Sequence, residues 1–164
     1  MMYFILFALG IIVGIIISTI FLFKKSITRK QNEEKLVFSL RYNISILTSW
    51  CILSSDGNRI GDYFEKNKIS NIVIYGMGYM GQWLCEELIN RNINVIAAID
   101  RNIVQYKKLK IIKIEEEKIP ECDYIIVTPV VEMEKIKEDL DRIAPNIKAI
   151  TIKELIDLAR LDEI

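Results

Sequence analysis

The chain of 164 residues contains no histidine, which removes the usual general base near neutral pH and the commonest metal ligand. Cysteine is scarce: Cys51, Cys85 and Cys122 are odd in number, far apart and form no C-x-x-C pair. That pattern excludes a disulfide framework and metal spacing, and predicts buried or half-buried free thiols in a reducing compartment. There is no net charge either, because 22 Lys and Arg balance 22 Asp and Glu, so the overall balance argues against a nucleic-acid partner. Neither an internal repeat nor a low-complexity segment is visible.

The charge that is present is unevenly placed. None precedes Lys24, residues 24–55 hold six basic against two acidic side chains, and residues 56–164 hold sixteen against twenty. Tyr3 to Phe23 is therefore an uncharged run of 21 residues. At about 1.5 Å per residue it is long enough for a hydrocarbon core of about 30 Å. It has no basic leader and no small-residue cleavage site, so the expectation is an uncleaved transmembrane anchor over residues 1–23. Lys24, Lys25, Arg29, Lys30 and Lys35 follow it, which places the N-terminus outside and the rest in the cytoplasm. Gly10 and Gly14 form G-x-x-x-G, read either as a homodimer contact between membrane helices or as ordinary small residues of such a helix.

Residues 24–58 are expected to be a juxtamembrane helical linker. Leu36, Leu40, Ile44, Leu47 and Cys51 recur at helical spacing, widened by Val37, Phe38, Ile46 and Trp50. Such breadth requires a cover: the following domain, a second copy or the membrane surface, with packing against protein the simplest. Ser54 to Asn58 is turn-like and sets the boundary of a folded domain over residues 59–164, opened by a short helix from Arg59 to Lys66.

The most informative stretch is Asn71 to Asp100. A β-branched run, Ile72 to Tyr75, leads into Gly76-Met77-Gly78-Tyr79-Met80-Gly81, the spacing G-x-G-x-x-G. Such a motif serves a tight turn, close approach of backbone to a phosphate, and helix–strand packing, with a diphosphate on the N-terminus of the helix. Met80, Leu84 and Leu88 predict that helix, Val95 to Ile99 a second strand, and Asp100 closes it where ribose hydroxyls are held. The alternative keeps the fold and loses the ligand: the glycines serve packing only and Asp100 is a solvated strand end.

Further strands are expected at Leu109 to Ile114, Tyr124 to Val127 and Ile147 to Ile150, with too little chain for a full helix before the first of these. Glu115 to Lys118 reads as a solvated loop. Thr128 and Pro129 fit the cap and first position of a helix with Met133, Ile136, Leu140 and Ile143 inward. Thr151 and Glu154 form a capping box for a last helix carrying Leu155 and Leu158. The fold class is α/β: a Rossmann-like, doubly wound parallel sheet of about five strands, preceded by the anchor and the helical segment.

The groups within reach of a ligand are Gly76, Met77, Gly78, Tyr79, Met80, Gly81, Asp100, Arg101, Thr128 and Glu132. Tyr79 either stacks on a ligand or is merely exposed. Arg101 either meets a phosphate, leaving NAD against NADP open, or is a surface residue. Thr128 is a helix cap or a ligand contact. There is no Tyr-x-x-x-Lys pair, no catalytic set and no metal site, and no length remains for a second catalytic domain. Ile74 to Gly78, Gly81, Asp100 to Asn102, Asp123 to Thr128 and Ala149 to Ile156 resemble the small Rossmann-like domains of bacterial surface-polysaccharide biosynthesis proteins. Across about residues 60–160 the resemblance implies NAD(P) or a nucleotide-sugar at Gly76, Gly78, Gly81 and Asp100, and a glycosyltransferase or sugar-modifying enzyme as partner. The reading is a membrane-anchored nucleotide- or nucleotide-sugar-binding module assisting polysaccharide assembly. The alternatives are an NAD(P)-dependent oxidoreductase or epimerase component completed by a partner chain, and a nucleotide-sensing module of a transporter or channel.

Overall fold

The computed structural model describes residues 2–57, 59–103, 105–114, 118–131 and 133–161, and within 2–15 only the side chains of Tyr3, Gly10 and Gly14. The chain divides into two compact units, residues 1–41 and 42–164, so the second begins well before the boundary expected at residue 58. Helix α1 spans Met2–Ser55 without a break, and the expected anchor and linker are one helix. The reason is local: residues 24–35 contain no proline or glycine and are tied by the pairs Arg29–Glu33 at 2.9 Å and Lys30–Glu34 at 4.0 Å, each four residues apart. Ile16, Ile17, Ile20, Phe21, Leu22 and Phe23 are all at least half exposed. Among the described residues α1 is the one helix long and apolar enough, by length and composition, to cross a membrane.

In the second unit, the tail of α1 buries Ile46, Trp50 and Leu53, with Tyr42 packed beside them. Only part of the expected stripe is buried: Ile46 and Trp50 enter the core, whereas Ile44 and Cys51 are exposed and Leu47 is half-buried. Trp50 selects the face: its indole N–H needs a partner once buried and donates to Glu87 Oε2 at 2.7 Å. Helix α2 (Ile60–Lys66) follows, its start fixed by the Arg59 N–H donating to Asp62 Oδ2 at 2.9 Å. Ile60, Tyr63 and Phe64 are buried on its inner side, as their spacing predicts.

The remaining elements are β1 (Asn71–Tyr75), α3 (Tyr79–Asn90), β2 (Asn94–Ile99), β3 (Ile111–Ile112), β4 (Tyr124–Val127), α4 (Met133–Ile143), β5 (Lys148–Thr151) and α5 (Ile152–Leu161). Five parallel strands form one sheet in the order β3-β2-β1-β4-β5, with β1 at the centre. The apolar runs leave no polar face, so both sides of the sheet are covered. One side carries Ile72, Ile74, Val95, Ala98, Ile126 and Ile150 against residues of α2, α3, α5 and the tail of α1. The other carries Val73, Ala97, Ile99, Ile125 and Val127 against Ile136 and Leu140 of α4. The register of β1 on β2 shifts between Ile72 and Val73, where Val95 and Ala97 are their partners and Ile96 is the extra residue.

Several expected boundaries move for identifiable reasons. β3 is two residues long because the chain before it folds into a Tyr106–Leu109 bridge around Lys107, whose φ is 49°. That loop replaces a helix and is held to α3 by the Tyr106 hydroxyl donating to Glu86 at 2.6 Å, and by the Lys107–Glu86 ion pair. The α4 helix starts at Met133 and not at Pro129, and its Ile143 is 54% exposed where it was expected inward. The capping box of α5 forms as expected, with Glu154 N–H donating to Thr151 Oγ1 at 3.1 Å and Thr151 N–H to Glu154 Oε2 at 2.6 Å. Cys85 is buried and Cys122 half-buried, but Cys51 is exposed, against expectation. Glu132 and Glu115 to Glu117 lie outside the described residues.

Truncating Ile46, which is fully buried, to alanine is expected to destabilise the second unit by about 2–5 kcal/mol. Ile52→Ala, on the exposed side of the same helix, should stay within about 0.5 kcal/mol. Denaturant unfolding followed by tryptophan fluorescence measures both, and equal effects would contradict the assigned face.

Candidate functional site

The sequence brings three glycines to the point where β1 ends and α3 begins, and each does something different. Gly76 has φ +90°, and a Cβ there would sit 2.7 Å from Pro129 Cδ and 2.8 Å from Thr128 Oγ1, so any side chain is refused twice over. A Cβ on Gly81 would fall on the Gly76 carbonyl oxygen, far inside van der Waals contact. That contact lets the first turn of α3 lie on the end of β1. Gly78 obeys neither demand: its φ of −66° and ψ of −172° suit any residue, and nothing lies within 4 Å of the Cβ it lacks. It is the N-cap of α3 and offers no capping side chain, and no acid stands in the first helical turn. The first N–H groups of any helix have no intrahelical acceptor. Those of α3 thus open beside a glycine that leaves the space above it clear.

The turn is held from beneath by polar contacts. Thr128, 5% exposed at the end of β4, donates its hydroxyl to the Gly76 carbonyl at 2.7 Å and lies 3.2 Å from that of Tyr75. It caps no helix, and its hydroxyl positions the glycine turn. Gln82 Nε2 donates to the Met77 carbonyl at 2.9 Å. Gln82 was missed by sequence reasoning, and the signal was available: a polar side chain one turn into the helix, on the side of the motif. Met77 and Met80 are buried, so these two motif positions contribute backbone and their side chains belong to the core. Tyr79, in contrast, is 85% exposed.

Asp100 turns back onto the motif. Its Oδ2 accepts from the Met77 N–H at 2.7 Å, and its Oδ1 from the N–H groups of Asn102 at 2.8 Å and Ile103 at 2.9 Å. Burial raises its pKa, but the hydrogen bonds from Ile103, Met77 and Asn102 and the charge of Arg101 outweigh this and hold the carboxyl below its ordinary value. A carboxylate has about four acceptor positions. Three are engaged, which leaves room for one hydroxyl. Arg101 points elsewhere: it lines a hollow of about 370 Å³ on the α4 side with Tyr75, Lys135 and Asp139. Lys135 was not among the residues singled out, because an exposed lysine on an amphipathic helix carries no signal of its own. Among the described residues no group of three or more His, Cys, Asp or Glu is placed to hold a metal ion.

The family model described as C2185-like, N-terminal, matches residues 68–151, a span that contains all five strands, the glycine turn, Asp100 and Thr128. No curated protein and no solved structure matches the chain.

Two outcomes follow from this geometry. Gly81→Ala should unfold the second unit or lower its stability by several kcal/mol, whereas Gly78→Ala, which meets no neighbour and loses only the N-cap preference for glycine, should cost no more than about 1 kcal/mol, both read by denaturant unfolding. The lowered pKa of Asp100 has a definite sign: its contribution is complete above the unfolded value of about 3.9 and is lost as pH falls through the folded value. Acid unfolding of Asp100→Asn, compared with the parent below about pH 4, should show a shallower loss of stability. Parallel acid profiles would contradict the clamp.

Proposed function

We propose that this chain, which belongs to the C2185-like N-terminal family, is a membrane-anchored module that binds a nucleotide or nucleotide-sugar by its diphosphate at the start of α3. The strand order β3-β2-β1-β4-β5, with helices on both sides, supports reading the sheet as a Rossmann-like doubly wound one. In such sheets ligands occupy the crevice beyond the carboxyl ends of the strands where the order reverses, which here lies between β1 and β4. The observation that carries the proposal is Gly78. The fold demands glycine at 76 and 81 and makes no such demand at 78, so its bare Cα is best accounted for by a phosphate approaching from outside the chain.

In this reading the N–H groups of Gly78, Tyr79, Met80 and Gly81, with the positive end of α3, hold the diphosphate. Asp100 uses its remaining acceptor position for one ribose hydroxyl. Gly76 and Thr128 position the turn, and Tyr79 stands exposed at the rim. The uncharged run from Tyr3 to Phe23 anchors the module, and the lysines and arginines after it place the sheet on the cytoplasmic side. Assistance to surface-polysaccharide assembly is the setting that the resemblance of the motif stretches suggests.

The full chain in detergent should show a ligand-dependent rise in Tm in a screen of NAD(H), NADP(H), UDP-sugars and coenzyme A. Gly78→Ala, which remains folded, should bind the active ligand at least about tenfold more weakly, about 1.4 kcal/mol. No shift with any of the four classes, or an unchanged Kd in Gly78→Ala, would count against the site.

A further inference from the structure

The hollow beside α4 lies at the carboxyl ends of the strands, next to the glycine turn, and the diphosphate and ribose contacts make no use of it. Tyr75, the residue before Gly76, forms part of its wall with Ile114 and Ile136. Its volume of about 370 Å³ falls within the range of small-molecule pockets, about 300–1,000 Å³. Two cations line it from different elements, Arg101 from the turn after β2 and Lys135 from α4. A ligand held at the start of α3 meets this hollow on crossing the strand ends to the α4 side of the sheet.

The fold accounts for neither cation. Asp139 lines the same hollow one helical turn beyond Lys135, the spacing at which helical ion pairs form, but its carboxylate is paired with Arg142. Lys137, on the same helix, is paired with Glu154 at 3.0 Å. Lys135 and Arg101 are exposed and form no ion pair or side-chain hydrogen bond among the described residues; Arg101 acts on Asp100 through its charge alone. Lys135 also sits in the first turn of α4, where the helix dipole opposes a positive charge. The hollow therefore gathers two side-chain charges and the positive end of a helix, and an anion there would relieve their mutual repulsion. We propose, resting on the diphosphate reading above, that it takes a second anionic group of the same ligand, a carboxylate or a phosphate, held between Arg101 and Lys135. Two kinds of nucleotide carry such a group: a nucleoside diphosphate joined to an acidic sugar, and a cofactor with a further phosphate on a ribose.

The test uses matched pairs that differ by that one group: UDP-glucuronate against UDP-glucose, NADPH against NADH, and coenzyme A against dephospho-coenzyme A. Calorimetric titration of the full chain in detergent gives the Kd of each. In a pair that binds, the more anionic member should be tighter by at least about tenfold, and the pair showing this identifies the source of the charge. Arg101→Gln and Lys135→Gln, both at exposed positions, should each cut that ratio to about threefold or less. Lys137→Gln, which removes a paired charge from the same helix, should leave it intact. A ratio near one in the parent, or one that Lys137→Gln lowers as much as Lys135→Gln, overturns the proposal. Gly78→Ala separates the hollow from the diphosphate site. If it weakens both members of a pair that shows no preference, the diphosphate site stands and the hollow falls. If the preference depends on Arg101 and Lys135 while Gly78→Ala changes neither Kd, the hollow stands and the diphosphate site falls. Binding by no pair refutes both.

Discussion

The second unit depends on one close contact: the Cα of Gly81 against the carbonyl of Gly76, with the Thr128 hydroxyl donating to that same carbonyl from beneath. It joins the central strand β1, the start of α3 and the end of β4 at a single oxygen. A methyl group on Gly81 would push α3 off the strand, and one on Gly76 would strike Pro129 and require a backbone angle that side chains rarely adopt. The Asp100 carboxylate reinforces the same corner by holding the Met77 amide from the end of β2. Three neighbouring strands therefore meet the turn through specific groups.

This arrangement separates the glycines that build the turn from the one that keeps it open. Packing accounts fully for Gly76 and Gly81, and a purely structural motif would need nothing further. Gly78 is the remainder, and it coincides with a helix start that no side chain caps and whose first amides have no intrahelical acceptor. The acid at the end of β2 is more committed than a ribose-holding role alone requires, with three backbone donors on its two oxygens. Its first duty is to shape the loop, and contact with a sugar would be an addition to that.

How legible the fold was depended on whether a residue's role was local. The glycine spacing, the 80-84-88 row of α3, the Tyr124–Val127 strand and the Thr151–Glu154 capping box are set by neighbours within a few residues, and all form where the spacing puts them. What could not be read depended on distant partners. Which part of the broad stripe on α1 enters the core was decided by Glu87 receiving the Trp50 indole, and the start of α4 by Thr128 engaging Gly76 in place of a helix. Arg101 and Asp100 are adjacent in sequence, yet one lines the hollow beside α4 and the other clamps the glycine turn. At the candidate site, sequence spacing identified the glycines and the acid; the supporting Gln82 and the division of labour among the glycines depend on contacts made only in the folded chain.

The most direct measurement is a titration of isotope-labelled full chain in detergent with inorganic diphosphate, followed by backbone amide resonances. The account predicts saturable shifts concentrated on Gly78, Tyr79, Met80 and Gly81. Shifts confined to exposed lysines such as Lys24 and Lys25, or no saturable change in the four amides, would contradict a diphosphate site at the start of α3.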